Sequence, residues 1–76
     1  MENNENQYRA MVHGIYWYIC ISGTTAFVES DIELHHAIDN LRYKDGNYYA
    51  YPSACRRVAE DLNKKIKEII KESKKM

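Results

Sequence analysis

The chain of 76 residues has few of the residues that build common phosphate, metal and catalytic motifs. Its three glycines stand apart at Gly14, Gly23 and Gly46, so the sequence contains no glycine-rich phosphate loop. Its two cysteines, Cys20 and Cys55, form no close pair such as C-x-x-C, which excludes the usual cysteine-based zinc motifs. A chain this short forms one domain and buries only about 60% of its unfolded surface, so we expect a small stability margin.

Long apolar runs and an excess of charge are also missing. The longest apolar run, 15–21, is far shorter than the roughly 20 residues that a membrane-spanning helix needs. The N-terminus is acidic and rich in Asn, so we expect no secretory signal, a cytoplasmic protein with free thiols, and no membrane partner. The formal net charge is zero, which removes the simplest argument for a nucleic-acid partner. The charges are nevertheless divided along the chain. The first half contains more acidic than basic residues, and the second half contains more Lys and Arg than acidic residues.

The C-terminal third carries the clearest pattern, which predicts one amphipathic helix over 53–75. Apolar side chains recur there at spacings of four and three along one helical face, and charged residues fill the opposite face. That apolar face consists of Cys55, Val58, Ala59, Leu62, Ile66, Ile69, Ile70 and Ser73. Pro52 cannot continue a strand ladder, and the hydroxyl of Ser53 can cap the first turn, so both residues indicate the start of the helix.

The predicted helix is longer than the sheet that it can cover. About 22 residues at roughly 1.5 Å each make a rod of about 33 Å, whereas strands of about six or seven residues span only about 20 Å. If the first half of the helix packs on the chain's own sheet, its distal end needs another surface, which a homodimer or a bound partner supplies. The expected dimer or partner face consists of Leu62, Ile66, Ile69 and Ile70. The alternative is that the last two turns fray, as chain ends commonly do.

The N-terminal segment is polar before it becomes apolar. Residues 1–7 lack periodicity and are predicted to be a disordered tail, so the single α+β domain is expected to span 8–76. A first extended run covers 8–13. It is interrupted at Gly14, which indicates a turn or a bulge.

The next stretch predicts two further strands. Residues 15–21 carry apolar or aromatic side chains on both faces, which is typical of a central strand. Ser22 and Gly23 predict a tight turn into a third strand over 24–28.

Residues 30–40 fit two patterns. Ser30 with Glu33 three residues later fits a capping box, so we predict a short helix over 31–40. One face of that helix would carry Leu34, Ala37, Ile38 and Leu41. The alternative is a strand, in which Ile32, Leu34, His36 and Ile38 alternate with polar residues.

Asp45-Gly46 is the strongest hairpin pattern in the chain, because both central positions of a type I′ turn need positive φ. The predicted hairpin strands are 41–44 and 47–51. In that register Tyr43 faces Tyr48 and Arg42 faces Tyr49. The complete prediction is an α+β fold in which a small antiparallel sheet of four to five strands packs against one long C-terminal helix.

No set of titratable residues predicts catalysis. A zinc site built from His13, Cys20 and Cys55 is the alternative to surface imidazoles and packed thiols. Cys55 precedes Arg56 and Arg57, but its place on the apolar face of the helix indicates a packed thiol and not a reactive thiolate. We therefore expect no enzyme activity, no metal and no cofactor.

Tyrosine is the residue present in excess. Seven tyrosines and one tryptophan are more than one small core needs, and tyrosine and arginine are enriched at binding hot spots. The predicted partner-binding residues are Tyr16, Tyr18, Arg42, Lys44, Tyr49, Tyr51, Arg56 and Arg57. The alternative is that the tyrosine-rich face is a second, partly covered face of the sheet.

These patterns favour a non-enzymatic protein-binding module that acts as a homodimer and engages a larger protein. Its size and composition are typical of the small inhibitors and adaptors that phages and mobile elements encode, for example to block a host or defence protein. That is an analogy of composition and not of sequence. The alternative is a nucleic-acid or nucleotide-binding protein, with phosphate held by Arg42, Lys44, Arg56 and Arg57 and bases stacked on tyrosines.

Overall fold

A computed structural model of the chain describes residues 7–74, in which two strands are followed by two helices. The elements are β1 (Ile15–Ser22), β2 (Thr25–Ile32), α1 (Ala37–Asp45) and α2 (Pro52–Lys74). The fold is small α+β, as predicted, but the described sheet has two antiparallel strands and not four to five. Neither described helix is both long and apolar enough to cross a membrane. Residues 1–6 of the predicted tail lie outside the described part, whereas the Gln7 amide donates a hydrogen bond to the Tyr43 carbonyl at 2.9 Å.

β1 and β2 form one hairpin whose register runs from Ser22 opposite Thr25 to Ile15 opposite Ile32. Gly23 is the first of its two turn residues and has φ 62, as in a type II′ turn. β2 does not end at Val28, as predicted, but continues through three polar residues to Ile32. The reason is that the backbone ladder with β1 persists there, and Glu29 and Ser30 are exposed, so polar side chains are tolerated at these positions.

The predicted first strand over 8–13 is wrong, and a bulge stands at its end. His13 has φ 75, its N–H donates to the Glu33 carbonyl at 2.7 Å, and Glu33 N–H donates to the Gly14 carbonyl at 2.8 Å. His13 and Gly14 therefore lie opposite the single residue Glu33, which defines a β-bulge. Gly14 N–H also closes a turn onto the Met11 carbonyl at 2.7 Å, and a Cβ at Gly14 would lie 2.9 Å from that oxygen. The chain is thus turned away from the sheet before Gly14.

The predicted hairpin over 41–51 is also wrong, because residues 41–44 belong to α1. Gly46 ends this helix in the left-handed conformation with φ 82, and its N–H donates to the Tyr43 carbonyl at 3.2 Å. Asp-Gly serves a helix end as well as a hairpin turn, since both need positive φ at glycine. In 47–51 only Tyr49 pairs with a strand, through two hydrogen bonds to Trp17 of 2.7 and 3.0 Å. Tyr43 and Tyr48 do contact each other, with ring centroids 5.5 Å apart, but not across a hairpin.

The short helix predicted over 31–40 begins later, at Ala37. Ser30, Asp31 and Ile32 belong to β2, so within 30–40 the strand alternative holds for these three residues. Glu33 cannot complete a capping box with Ser30, because its backbone is used by the bulge. Instead Asp39 accepts the N–H of the N-cap residue His36 at 3.1 Å.

α2 confirms the predicted long C-terminal helix. It begins at Pro52, one residue earlier than predicted, in the first helical position where a missing N–H costs no helical hydrogen bond. Ser53 is therefore inside the first turn and not its cap. Cys55 and Ala59 are the buried residues of α2.

α2 crosses the hairpin diagonally. Just before the helix, Tyr49 is paired with Trp17 of β1, whereas further along the helix Asn63 is hydrogen-bonded to Ala26 of β2. The helix therefore starts beside the outer edge of β1 and reaches the outer edge of β2 close to the turn. Residues 64–74 continue for about 16 Å beyond that contact. Ile69 in this distal part is 59% exposed.

The core is built from tyrosines and small side chains. Its buried apolar residues are Ala10, Tyr16, Ala26, Tyr48, Cys55 and Ala59, accompanied by the buried carboxylates Glu33 and Asp39. No Ile, Leu or Val in 7–74 is buried. The branched aliphatic side chains therefore remain half-buried or exposed.

Candidate interaction surface

Glu33 is a fully buried carboxylate at the centre of the first polar cluster. It accepts hydrogen bonds from Arg9 at 3.1 and 3.2 Å, from the Tyr48 hydroxyl, and from the backbone N–H of His35 at 2.8 Å. Burial acts to raise the pKa of Glu33, but the hydrogen bonds from Arg9 and Tyr48 outweigh it and hold the pKa below its usual value. Glu33 is therefore ionised and ties three parts of the chain together.

Asp39 plays the same part in α1 and is only 2% exposed. It accepts the Tyr16 hydroxyl at 2.5 Å and the backbone N–H groups of Leu34 and His36, both at 3.1 Å. Burial acts to raise the pKa of Asp39, yet these donors lower it below its usual value. The helix is thus fixed to β1 through an acidic side chain.

Arg42 adds a second anchor one turn later. Its guanidinium donates to the Tyr16 hydroxyl and to Asp31, each at 2.8 Å, and its Cζ lies 3.7 Å from the centre of the Tyr18 ring. A cation above an aromatic face is attracted by the ring quadrupole. Arg42 therefore points towards the hairpin.

The two polar clusters meet at a pair of aromatic rings. Tyr16 and Tyr48 are stacked, with centroids 4.1 Å apart and planes 10° apart. Burial and the hydrogen bond to Asp39 raise the pKa of Tyr16 to about 12, and burial with the bond to Glu33 raises the pKa of Tyr48 as well. Both phenols are therefore neutral donors, which suits structural anchoring and not nucleophilic chemistry.

These anchors turn the polar side of α1 inwards and its apolar side outwards. Asp39 and Arg42 face the hairpin, whereas Ile38 and Leu41 are 46% and 51% exposed. Leu34, just ahead of the helix, is 41% exposed. We call Leu34, Ile38 and Leu41 the α1 outer face. Ile38 and Leu41 share one face of α1, as predicted from the sequence, whereas Leu34 precedes the helix; all three side chains are exposed and not in the core.

Other exposed aliphatic side chains lie at the bulge end of the hairpin. Ile15 and Ile32, which are partners in the ladder, are 52% and 47% exposed. Val12 and Met11, just before the bulge, are 53% and 84% exposed. This end of the molecule therefore also exposes apolar side chains.

Three predicted partner-binding residues come together inside the molecule. Tyr16 is fully buried, Tyr18 is half-buried beneath Arg42, and Arg42 is bound to Asp31. Arg42 does not face Tyr49, as the hairpin prediction required. These side chains build the fold and present little free surface.

The other predicted partner-binding residues lie apart from these. Tyr49 is half-buried and lines a groove of about 280 Å³, and Tyr51 is 69% exposed. Lys44 is exposed on the last turn of α1, and Arg56 and Arg57 are exposed on the first turns of α2.

The predicted dimer face of α2 is only partly free. Leu62 lines the same groove as Tyr49, and Ile66 and Ile70 are half-buried. Ile69 is exposed and lines a second shallow pocket of about 330 Å³ together with Lys65.

Two asparagines that sequence reasoning missed cover strand edges. The Asn47 side chain accepts Ile19 N–H at 2.7 Å and donates to the Ile19 carbonyl at 2.9 Å. The Asn63 side chain makes the same two hydrogen bonds with Ala26, at 2.7 and 2.9 Å. Each amide thus replaces one residue of a missing neighbouring strand. For Asn63 the only sequence signal was a polar amide beside the apolar stripe of a helix.

Arg9, Glu33 and Asp39 were also missed as organising residues. An acid enclosed by apolar neighbours, as Glu33 is between Ile32 and Leu34, was the one available signal. Their partners are distant in sequence, so no local pattern could identify them.

The cysteines and histidines of the described residues do not form a metal-binding group. In 7–74 no three His, Cys, Asp or Glu side chains are placed to hold a metal ion, so His13, Cys20 and Cys55 do not converge. Both cysteines are free, and burial raises the pKa of the Cys55 thiol. Burial therefore disfavours a Cys55 thiolate.

Function has to follow from this geometry alone. Comparison of the chain with protein-family models, with curated proteins and with solved structures found no match.

Proposed function

We propose that the chain is a non-enzymatic protein-binding module of the inhibitor or adaptor kind, acting as a homodimer, and that it docks a larger protein through the α1 outer face. The observation that carries this proposal is the inverted packing of α1. Asp39 and Arg42 are anchored towards the interior, while Ile38 and Leu41 face solvent.

The anchoring explains why the apolar side cannot simply rotate inwards. Rotation of α1 would take Asp39 away from three donors and Arg42 away from Asp31. A buried charge that loses its partners costs several kcal/mol, about 3–5 by the magnitude found for broken buried ion pairs. Burying the exposed part of two aliphatic side chains gains less, because full burial contributes about 1.5–3 kcal/mol each and only about half of each side chain is exposed. The outward position of Ile38 and Leu41 is therefore the stable one for the isolated chain.

A partner removes this exposure without moving the helix. Exposed apolar patches with polar rims mark interaction sites in soluble proteins. Around the α1 outer face the rim consists of Asn40, Lys44 and Asp45, which are exposed. An apolar groove on a larger protein, with polar groups at its margin, fits this surface.

Nucleic acid has less support as the partner. Of the four cations that such an interface would use, Arg42 is already bound to Asp31 and the Tyr16 hydroxyl. The exposed Lys44, Arg56 and Arg57 remain, and these belong to two different helices.

The test compares two surfaces in the full chain. Tagged protein and the double variant Ile38→Lys/Leu41→Lys are used to capture proteins from the native host, and captured proteins are identified by mass spectrometry. Both substituted side chains are exposed, so the variant is expected to fold, which circular dichroism and thermal melting check. We expect one protein to be captured by the unsubstituted chain and to be lost in the double variant.

Tyr51→Lys is the matched control, because Tyr51 is an exposed aromatic residue that does not belong to α1. It is expected to retain capture. Loss of capture with Tyr51→Lys and retention with the folded double variant would place the docking surface on the tyrosine side and overturn the proposal.

A further inference from the structure

The distal part of α2 carries a side that no other element of the described chain covers. In 7–74, Asn63 is the last residue of the helix that is hydrogen-bonded to the hairpin. Beyond it Ile69 is 59% exposed, and the shallow pocket of about 330 Å³ beside Ile69 is lined by α2 residues alone. A neighbour can therefore approach this side of the helix without displacing another part of the chain.

The apolar side chains of this stretch recur at the spacing of a coiled coil. They follow one another at intervals of four, three and four residues, which is the a and d pattern of a heptad repeat. Two helices with this pattern pack these side chains between them, and charges on the flanking residues set the partner and the orientation. We call these residues the α2 seam, which consists of Leu62, Ile66, Ile69 and Ser73.

The two flanks of the α2 seam differ in charge. One flank carries a base and an acid one heptad apart, Lys65 and Glu72, and both are exposed. Within 7–74 neither of them makes an ion pair. Glu68 lies one turn before Glu72, and two acids at this spacing on a helix repel each other. The other flank carries the uncharged residues Asn63 and Ile70.

We propose that the α2 seam pairs with the α2 seam of a second copy of the chain, antiparallel about a two-fold axis midway between Ile66 and Ile69. In this register Ile66 packs beside Ile69 of the second copy, and Ile69 packs beside its Ile66. Lys65 of each copy then lies beside Glu72 of the other, so the two-fold axis forms both ion pairs together. This inference names the interface of the homodimer and rests on the proposed function for the existence of that dimer.

The charges select this register over the neighbouring ones. A shift by one heptad in one direction would place Glu72 beside Glu72 of the second copy, and a shift in the other direction would place Lys65 beside its Lys65. The second shift would also require Ala59 at the interface, although Ala59 is buried in the core. A parallel pair would bring the charged flank against the uncharged one, so Lys65 would lie beside Ile70 and gain no ion pair.

The order of the charges favours a second copy over an unrelated helix. A helix that fits this side needs an acid beside Lys65 and a base beside Glu72, at a fixed distance from aliphatic side chains that pack on Ile66 and Ile69. The α2 helix itself meets all these requirements when it is reversed end to end. Self-complementarity of this kind is what a two-fold interface requires, and an unrelated helix has no reason to share it.

The hairpin leaves room at the ends of the α2 seam. Leu62, which would meet Ser73 of the second copy, lines the groove of about 280 Å³ together with Ile19 and Ile21. Ile21 is 57% exposed, so the last turn of the second copy meets uncovered apolar surface there. Asn63 lies on the uncharged flank and keeps its hydrogen bonds to the hairpin. No contact of the described chain has to be broken for the two helices to meet.

Charge reversal tests the register, with association measured by sedimentation equilibrium from about 10 μM to 1 mM, a range that brackets weak interfaces. Lys65→Glu turns both ion pairs into pairs of acids, and we expect at least about fivefold weaker association. Glu72→Lys turns them into pairs of bases and should weaken association to a similar extent. Lys64→Glu is the matched control, because it makes the same change of charge on the opposite side of the helix and should leave association unchanged.

A mixture of the two variants tests whether these residues pair with each other. The Lys65→Glu copy carries two acids on the charged flank and the Glu72→Lys copy carries two bases, so only the heterodimer has two attractive pairs. We expect the mixture to associate more tightly than either variant alone. The double variant Lys65→Glu/Glu72→Lys should regain the association of the unsubstituted chain. High salt should reduce all these differences, because exposed charges are screened.

The outcomes that overturn the proposal are equally specific. The substituted residues are exposed on α2, so each variant is expected to fold, which circular dichroism checks. An unsubstituted chain that remains monomeric at 1 mM would refute the dimer. Association that Lys65→Glu weakens no more than Lys64→Glu does, or a mixture that associates no more tightly than its components, would refute the antiparallel register.

Failure of this inference is distinguishable from failure of partner docking. Ile38→Lys/Leu41→Lys lies on α1 and should leave self-association unchanged, whereas Lys65→Glu leaves the α1 outer face intact and should retain capture of the partner. Loss of capture and loss of self-association are thus measured with different variants.

Discussion

The ring of Tyr16 is stacked on the ring of Tyr48 at 4.1 Å, and the two phenols donate to different carboxylates, Asp39 and Glu33. One aromatic pair therefore joins two polar clusters. Through Asp39 it fixes α1, and through Glu33 it fixes the N-terminal segment that carries Arg9. The orientation of α1, on which the proposed docking surface depends, follows from these contacts.

Removal of one phenol should destabilise the fold measurably. Tyr48→Phe keeps the stacked ring but takes a donor from the buried Glu33 carboxylate and an acceptor from Ala10 N–H. We expect the free energy of unfolding to fall by about 1–3 kcal/mol, the usual cost of an unsatisfied buried group. Urea unfolding followed by circular dichroism measures it. Tyr8→Phe, at an exposed tyrosine, is the control and should change stability by less than about 0.5 kcal/mol.

Arg42 should contribute more to stability than Lys44, which lies two residues later in the same helix. Arg42→Ala removes bonds to Tyr16 and Asp31 together with the contact to the Tyr18 ring. We expect a loss of about 2–3 kcal/mol, since charged hydrogen bonds contribute about 1.5–3 kcal/mol. Lys44→Ala, an exposed cation on the same helix, should stay within about 0.5 kcal/mol of the unsubstituted chain. Equal urea midpoints for the two variants would show that Arg42 is not an anchor.

The elements that local periodicity defines were predictable from sequence. α2 shows a long stripe of helical period, and β1 shows apolar and β-branched residues bounded by a turn, so both were placed within about two residues, the usual uncertainty of element ends. The hairpin turn predicted at Asp45-Gly46 was wrong, because a helix end and a hairpin turn both need positive φ at glycine. Once 41–44 were assigned to a strand, the sheet gained a hairpin that does not exist.

The orientation of α1 could not be predicted from its own residues. An apolar stripe normally faces the core, and Ile38 and Leu41 follow that rule in sequence but not in the structure. The reason is tertiary, because Asp39 and Arg42 find buried partners on β1 and β2. The candidate surface was therefore missed, and tyrosines that build the interior, Tyr16 above all, were assigned to a binding face.

The free energy of unfolding should fall at low pH and at high pH, because buried carboxylates and a buried phenol titrate there. Glu33 and Asp39 have a lowered pKa in the folded chain, so their stabilisation is complete above the unfolded values of 4.5 and 3.8 and is lost as pH falls through the folded values. Tyr16 has a pKa raised from 10.0 to about 12, so its stabilisation is complete below pH 10 and is lost as pH rises towards 12.

Urea midpoints from pH 2 to 12 measure both limbs of this profile. Tyr16→Phe should make the alkaline limb less steep but not flat, because the Tyr16 phenol is gone while Tyr48, whose pKa is also raised, still titrates. Constant midpoints between pH 5 and 2 would contradict the proposed role of the two buried carboxylates.

The side-chain amide of Asn63 should contribute more to stability than its place on a helix suggests. Asn63→Ala improves helix propensity but leaves the outward N–H and C=O of Ala26 without partners. We expect a net loss of about 1–2 kcal/mol, since a buried unsatisfied backbone group costs about 1–3 kcal/mol. Lys64→Ala, the exposed neighbour, should be neutral or slightly stabilising. A stabilised Asn63→Ala variant would mean that the strand edge does not need the amide.

Variants at position 46 should differ in stability according to how well each residue tolerates the left-handed conformation. Gly46 has φ 82 and ends α1, with no atom within 4 Å of an added Cβ, so backbone conformation and not a clash decides the cost. Alanine pays about 1–2 kcal/mol in this region, whereas asparagine visits it more readily. The expected order of stability is therefore Gly46, then Gly46→Asn, then Gly46→Ala, measured by thermal and urea unfolding. If Gly46→Ala matched the unsubstituted chain, α1 would have to end differently, and the positions of Ile38 and Leu41 would have to be reconsidered with it.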